Sequence, residues 1–170
     1  MFNIGEKVVY GKTGVCEITD ICEMKSPVNG EKRTYYKMKP VSAQNNTVYA
    51  PTDGGKVFMR AVISRDEALR LISLIPSVRS HDFSGMSPAE IREYYNDKLN
   101  SHKLSDLAEL AISIYSKNRD SGKKAGTVDM KYKHEAESLL HGELATALGI
   151  SESDVPNFIA EQTEKTNGRP

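Results

Sequence analysis

Tryptophan is absent from this 170-residue sequence, cysteine occurs twice, and the net charge is zero, with 23 Lys+Arg against 23 Asp+Glu. Two thiols, Cys16 and Cys22, cannot build a disulfide scaffold. Structural zinc needs four N/S ligands, and no second ligand pair lies near them. They read as small buried or half-buried side chains on one strand. Balanced charge excludes a highly basic nucleic-acid coat but leaves room for a local basic patch. No apolar run approaches the roughly 20 residues of a bilayer span. The opening Met1-Phe2-Asn3-Ile4-Gly5-Glu6-Lys7 lacks the apolar stretch of a secretory signal. The expected setting is therefore the cytoplasm, with no membrane partner.

Catalytic signatures are equally sparse. Gly5 to Thr13 approximates a phosphate-binding loop but has one residue too many, and its spacers Val8-Val9-Tyr10 favour a strand. His134, Glu137 and His141 can share a helix face, yet they lack the His-Glu-x-x-His order of a metalloprotease. No Gly-x-Ser-x-Gly elbow occurs. Asn45-Asn46-Thr47 fits a glycosylation acceptor, which has meaning only in a secreted chain. The expectation is a non-enzyme without cofactor or metal.

What the sequence does contain divides near residue 62. Residues 1–62 read as strands. Val8-Val9-Tyr10 runs into a Gly11–Gly14 turn, Val15 to Met24 is extended, and Ser26–Gly30 is a hairpin loop. In Tyr35 to Lys39, Tyr36 and Met38 alternate with Lys37 and Lys39, the period of a half-buried strand. Thr47–Ala50 is a short strand stopped by Pro51, and Val57-Phe58 is the expected last strand. Four or five such strands predict a small, strongly bent antiparallel sheet or barrel.

Residues 63–170 read as helix. Ser64–Glu67 and Ser87–Glu90 are capping boxes, the second with Pro88 at the first helical position. The first helix should end before Pro76, with a polar linker over 77–86. Ile91, Tyr94, Tyr95 and Leu99 share a face of the second helix. Leu104, Leu107, Ala108, Ala111, Ile112 and Tyr115 form the apolar stripe of a third helix ending near Lys117. A Gly/Lys-rich loop over 119–126 leads into a fourth helix from about Val128 to Leu148, capped by Gly149. A short last helix follows, with a frayed end from Thr163 to Pro170. The fold class is α+β: a small antiparallel β domain followed by a compact all-α domain.

Charge is uneven beneath the zero total. Residues 1–75 hold 11 basic against 8 acidic side chains, so the remainder is net acidic. Yet Lys117 to His134 carries Lys117, Arg119, Lys123, Lys124, Lys131 and Lys133 against only Asp120 and Asp129. A basic loop leading into a helix N-terminus can attract phosphates.

Phe2-Asn3-Ile4-Gly5-Glu6-Lys7-Val8-Val9-Tyr10, followed by Gly14-Val15 and Ile18, resembles the opening of the CarD/CdnL family of bacterial transcription regulators. Tyr35–Lys39 and Val48-Tyr49-Ala50-Pro51 resemble the later strands of that family. Leu104–Glu109, Gly142–Ala145 and Ala147–Ile150 resemble its helical domain. The resemblance implies a Tudor-like, SH3-like β domain over 1–62 that binds the RNA polymerase β subunit. It implies a helical domain over 63–170 that contacts promoter DNA at the upstream edge of the melted region. The protein is then a monomeric, nucleoid-associated modulator of open-complex stability, binding DNA weakly and largely without sequence preference. The alternative is a polymerase-bound protein adapter without DNA contact.

Family positions for polymerase contact fall near Met24, Lys25 and Tyr49, with Val48 and Pro51 flanking; only Lys25 is basic here. Well-known members wedge a Trp into the minor groove from the start of the first helix of the helical domain. Counting back from Leu104-Ser105-Asp106 places that position at Ser87 or Pro88. Phe83 and Met86 are the nearest large apolar substitutes, a chemistry minor-groove wedges can use. Arg92 and Lys98 lie nearby, interleaved with Glu90 and Glu93. Lys123, Lys124, Lys131 and Lys133 are expected to contact phosphates rather than bases.

Overall fold

A computed structural model describes residues 1–168. The chain separates into two compact units, Met1–Val62 and Ile63–Pro170.

The first unit is one antiparallel sheet of five strands: β1 (Lys7–Tyr10), β2 (Gly14–Lys25), β3 (Lys32–Pro40), β4 (Val48–Pro51) and β5 (Met59–Ala61). Their order is β4-β3-β2-β1-β5. Alternation works as the sequence predicts in β3, where Tyr36 and Met38 are buried and Lys39 is exposed. With Val8, Cys16, Ile18 and Ala50 they form the core of the unit. Strand β2 is long and irregular. Ile18 pairs with Met38, but Asp20, not Thr19, pairs with Lys37. Thr19 is the extra residue of a β-bulge, and its hydroxyl donates to the Lys37 carbonyl at 3.1 Å.

The last strand departs from expectation. It is Met59–Ala61, while Val57 and Phe58 remain outside the sheet and 43% exposed. Strand β1 offers only Val8, Val9 and Tyr10 as partners, matched to Ala61, Arg60 and Met59. The ladder ends where the chain enters a 3-10 turn at Gly11, whose N–H donates to the Phe58 carbonyl at 2.8 Å.

The second unit packs five helices: α1 (Arg65–Leu74), α2 (Pro88–Asn100), α3 (Leu104–Ser121), α4 (Thr127–Leu148) and α5 (Val155–Asn167). Both predicted capping boxes form: Ser64 and Ser87 accept from Glu67 and Glu90 backbone N–H groups, and each Glu carboxylate accepts in return. Leu107, Leu110, Ile114, Leu140 and Leu144 centre the core. Of the predicted α3 stripe, Leu104, Leu107, Ala108 and Ala111 are buried, but Tyr115 is 58% exposed. Tyr115 shares the stripe, seven residues after Ala108 and four after Ala111, but toward the end of α3 burial continues only through Ser113 and Ile114.

Three boundaries differ from the sequence reading. Helix α3 continues past Lys117 to Ser121, so the glycine/lysine loop shrinks to residues 122–126. Helix α5 runs through Asn167 rather than fraying at Thr163, held by partly buried Phe158 and Ile159; the end of that predicted frayed segment, residues 169–170, lies outside the described residues. The segment over 77–86 is no free linker. The His81 N–H donates to buried Ser113 at 2.9 Å, and Phe83 packs against the core.

Candidate functional site

Strand β4 lies at a sheet edge and pairs only with β3. One row of its backbone groups therefore faces away from the sheet, the arrangement a partner strand can complete. Tyr49 is 41% exposed on this edge, Ala50 points into the core, and Val48 and Pro51 are half-buried. Lys25 and Met24 pair with Lys32 and Arg33 at the end of the β2–β3 hairpin. Arg33 holds Asp53, just beyond β4, at 2.6 Å. The hairpin end and the end of β4 are thus tied together. Beside them lies a groove of about 340 Å³ with Phe2, Tyr10, Tyr36, Pro51, Phe58 and Met59 in its walls.

In the helical unit, Phe83 stands edge-on to both Tyr94 and Tyr95, at 5.4 and 5.7 Å between ring centres. His81 stacks on Tyr94 at 4.2 Å. Phe83 is therefore a half-buried member of an aromatic cluster, packed against the core. Met86 is half-buried and closes a turn in which its N–H donates to the Phe83 carbonyl. Gly85 supplies the positive φ (+76°) that this turn requires at its third position. Ser87 is the N-cap and Pro88 the first residue of α2.

The basic candidates separate by their partners. Lys98 lies between Asp106 and Glu109, at 3.0 and 2.9 Å. Burial opposes the charge on these carboxyls, but hydrogen bonds from Ser101 and Lys98 to Asp106, and from Tyr94 and Lys98 to Glu109, outweigh it and hold both below the usual range. Burial, and then donation to Glu109, pushes the Tyr94 hydroxyl up to about 12. Lys133 pairs with Glu137 one turn along at 2.9 Å. Lys117 reaches Asp129 at 2.9 Å, and the Tyr95 hydroxyl donates to the same carboxylate at 3.0 Å. These three lysines present little free charge. Lys123, Lys124 and Lys131 are exposed and, among the described residues, enter no ion pair. Arg92 is also exposed.

The trio of Tyr95, Lys117 and Asp129 is not legible in the sequence, since its members come from three helices. The i, i+4 spacing of Tyr115 and Arg119 is legible there; the guanidinium lies 5.9 Å from the ring centre. His134, Glu137 and His141 form no metal-binding group among the described residues. Burial keeps His141 below the ordinary histidine range. Cys16 is buried, its thiol pushed up to about 11 by desolvation, and Cys22 is half-buried.

Residues 2–63 match the family model described as CarD-like/TRCF RID domain. This domain has a Tudor-like fold, consistent with the five-stranded sheet, and the match points to interaction with RNA polymerase. No curated protein matches the chain.

Proposed function

We propose that this chain, whose N-terminal unit belongs to the CarD-like/TRCF RID domain family, docks on the RNA polymerase β subunit through β4 and brings its helical unit to promoter DNA. The free edge of β4, with Tyr49 exposed upon it, carries the reading. A strand of the polymerase added there would pair the outward backbone groups, and Tyr49 would cover the junction with apolar area. Lys25, at the linked hairpin end, supplies positive charge beside that edge.

In the helical unit, the exposed Lys123, Lys124 and Lys131 are the side chains for phosphate contact, with Arg92 a further cation. Lys is a point charge suited to the backbone and poor at base readout. Weak intrinsic affinity suffices, because polymerase binding raises the local DNA concentration. Of the two wedge candidates, Met86 is the one not engaged in the aromatic cluster. It offers no flat π-face, so this protein should prolong open complexes less than Trp-bearing relatives do. A second reading, an adapter without DNA contact, draws support from the neutralisation of Lys98, Lys117 and Lys133 by acidic neighbours.

The test uses the full chain with purified polymerase and a promoter fragment. Tyr49→Asp should weaken polymerase binding at least tenfold, and Tyr49→Ala less. The Lys123→Ala/Lys124→Ala/Lys131→Ala variant should keep polymerase affinity. It should flatten the salt dependence of DNA binding by about 0.9 in log–log slope for each phosphate no longer neutralised. Unchanged polymerase affinity in both Tyr49 variants refutes docking through β4; an unchanged salt slope favours the adapter.

A further inference from the structure

We propose that Tyr115 and Arg119 on α3 form a stacking site for an unpaired nucleobase. The inference rests on the helical unit working beside DNA. It assigns that unit a contact of a different kind from phosphate neutralisation. Tyr115 continues the apolar spacing of α3 but lies outside the core, with 58% of its surface exposed. Arg119, one turn on, sets its guanidinium 5.9 Å from the ring centre, and the ring remains mostly accessible. The arginine's ion pair with Asp120 uses Nε at 3.2 Å, and both partners are more than 60% exposed, so water screens it and the planar group stays available.

The surroundings select the ligand. Beyond Tyr115 toward the helix end the chain is polar, with Ser116, Asn118, Asp120 and Ser121, a setting for a charged, hydrated ligand. Helix α3 ends six residues later, about 9 Å along its axis. Lys123 and Lys124 follow, exposed and, among the described residues, without ion pairs. An aromatic face, a guanidinium plane and nearby point cations form the combination that stacks a base and holds its flanking phosphates. Base faces are hidden within a duplex, so the ligand is single-stranded or locally melted DNA.

The experiment measures fluorescence anisotropy of the full chain with a labelled oligo-dT 12-mer and with a duplex of equal length. Tyr115→Ala should weaken single-strand binding about tenfold, the value of one stacked base, and leave duplex binding unchanged. Tyr115→Phe, which keeps the ring, should retain single-strand affinity. The Lys123→Ala/Lys124→Ala/Lys131→Ala variant should weaken both ligands. If Tyr115→Ala matches wild type on the 12-mer while the lysine variant loses both ligands, the stacking site is overturned and the phosphate contacts stand. Equal loss on both ligands with Tyr115→Ala also overturns stacking. If wild type binds neither oligonucleotide, or the lysine variant changes nothing, the DNA-contact reading fails with it.

Discussion

Replacing Lys117 by Met would leave the Asp129 carboxylate in its buried position with only the Tyr95 hydroxyl as partner. Removing one member of a fully buried ion pair costs about 3–5 kcal/mol. Here the lysine side chain is 31% exposed and the aspartate 11%, so solvent recovers part of that loss. The expected destabilisation is about 1–2 kcal/mol. In a urea titration followed by circular dichroism, that lowers the midpoint by about 0.5–1 M, given a slope of roughly 2 kcal/mol/M. Lys117→Met/Asp129→Asn removes both charges and keeps an acceptor for Tyr95, so it should recover most of the loss. Since this lysine's charge is committed within the fold, neither variant should change the salt slope of DNA binding. A single variant within about 0.3 kcal/mol of wild type, or a double variant less stable than the single, refutes the assignment.

Three further outcomes follow from local chemistry. Burial lowers the His141 pKa below its unfolded value of 6.5, so the unfolded chain takes up this proton first as pH falls. Stability should decline below about pH 6.5, with the dependence reduced in His141→Gln, measured by urea midpoints from pH 7.5 to 5. At Gly11, φ is +46° and an added Cβ would meet Val57 Cγ1 at 2.7 Å, so Gly11→Ala should cost about 1–2 kcal/mol. Gly142, inside α4 with open space around it, should gain about 0.5–1 kcal/mol as Gly142→Ala. Equal effects at the two glycines in thermal melts would contradict the backbone explanation.

The elements most legible in the sequence were those fixed by local rules. Tyr36 and Met38 alternate into the core, and both Ser-x-x-Glu boxes close as their spacing dictates. Errors arose where tertiary partners decide. Val57 and Phe58 have strand-like composition, but β1 offers partners only to the residues after them. Tyr115 fits a helical stripe, yet the core centres on Leu110 and Ile114. The basic run from Lys117 to Lys133 read as one positive surface because the sequence does not reveal that Asp129 takes Lys117 and Glu137 takes Lys133. The resemblance of the first 60 residues was the most informative signal for function, and the family match covers residues 2–63.

The bulge at Thr19 makes β2 unequally tolerant of shortening. Ile18 opposite Met38 and Ile21 opposite Tyr36 belong to two runs of alternation that are out of step in the sequence and brought into step by the extra residue. Loss of Thr19 would merge these runs into one uninterrupted alternation, with every pairing on either side preserved. Loss of Glu17 or Cys22 would turn the residues beyond it to the opposite face of the sheet. Among homologous chains, single-residue length differences in this strand should therefore collect at position 19, where they change its twist and leave its buried face intact.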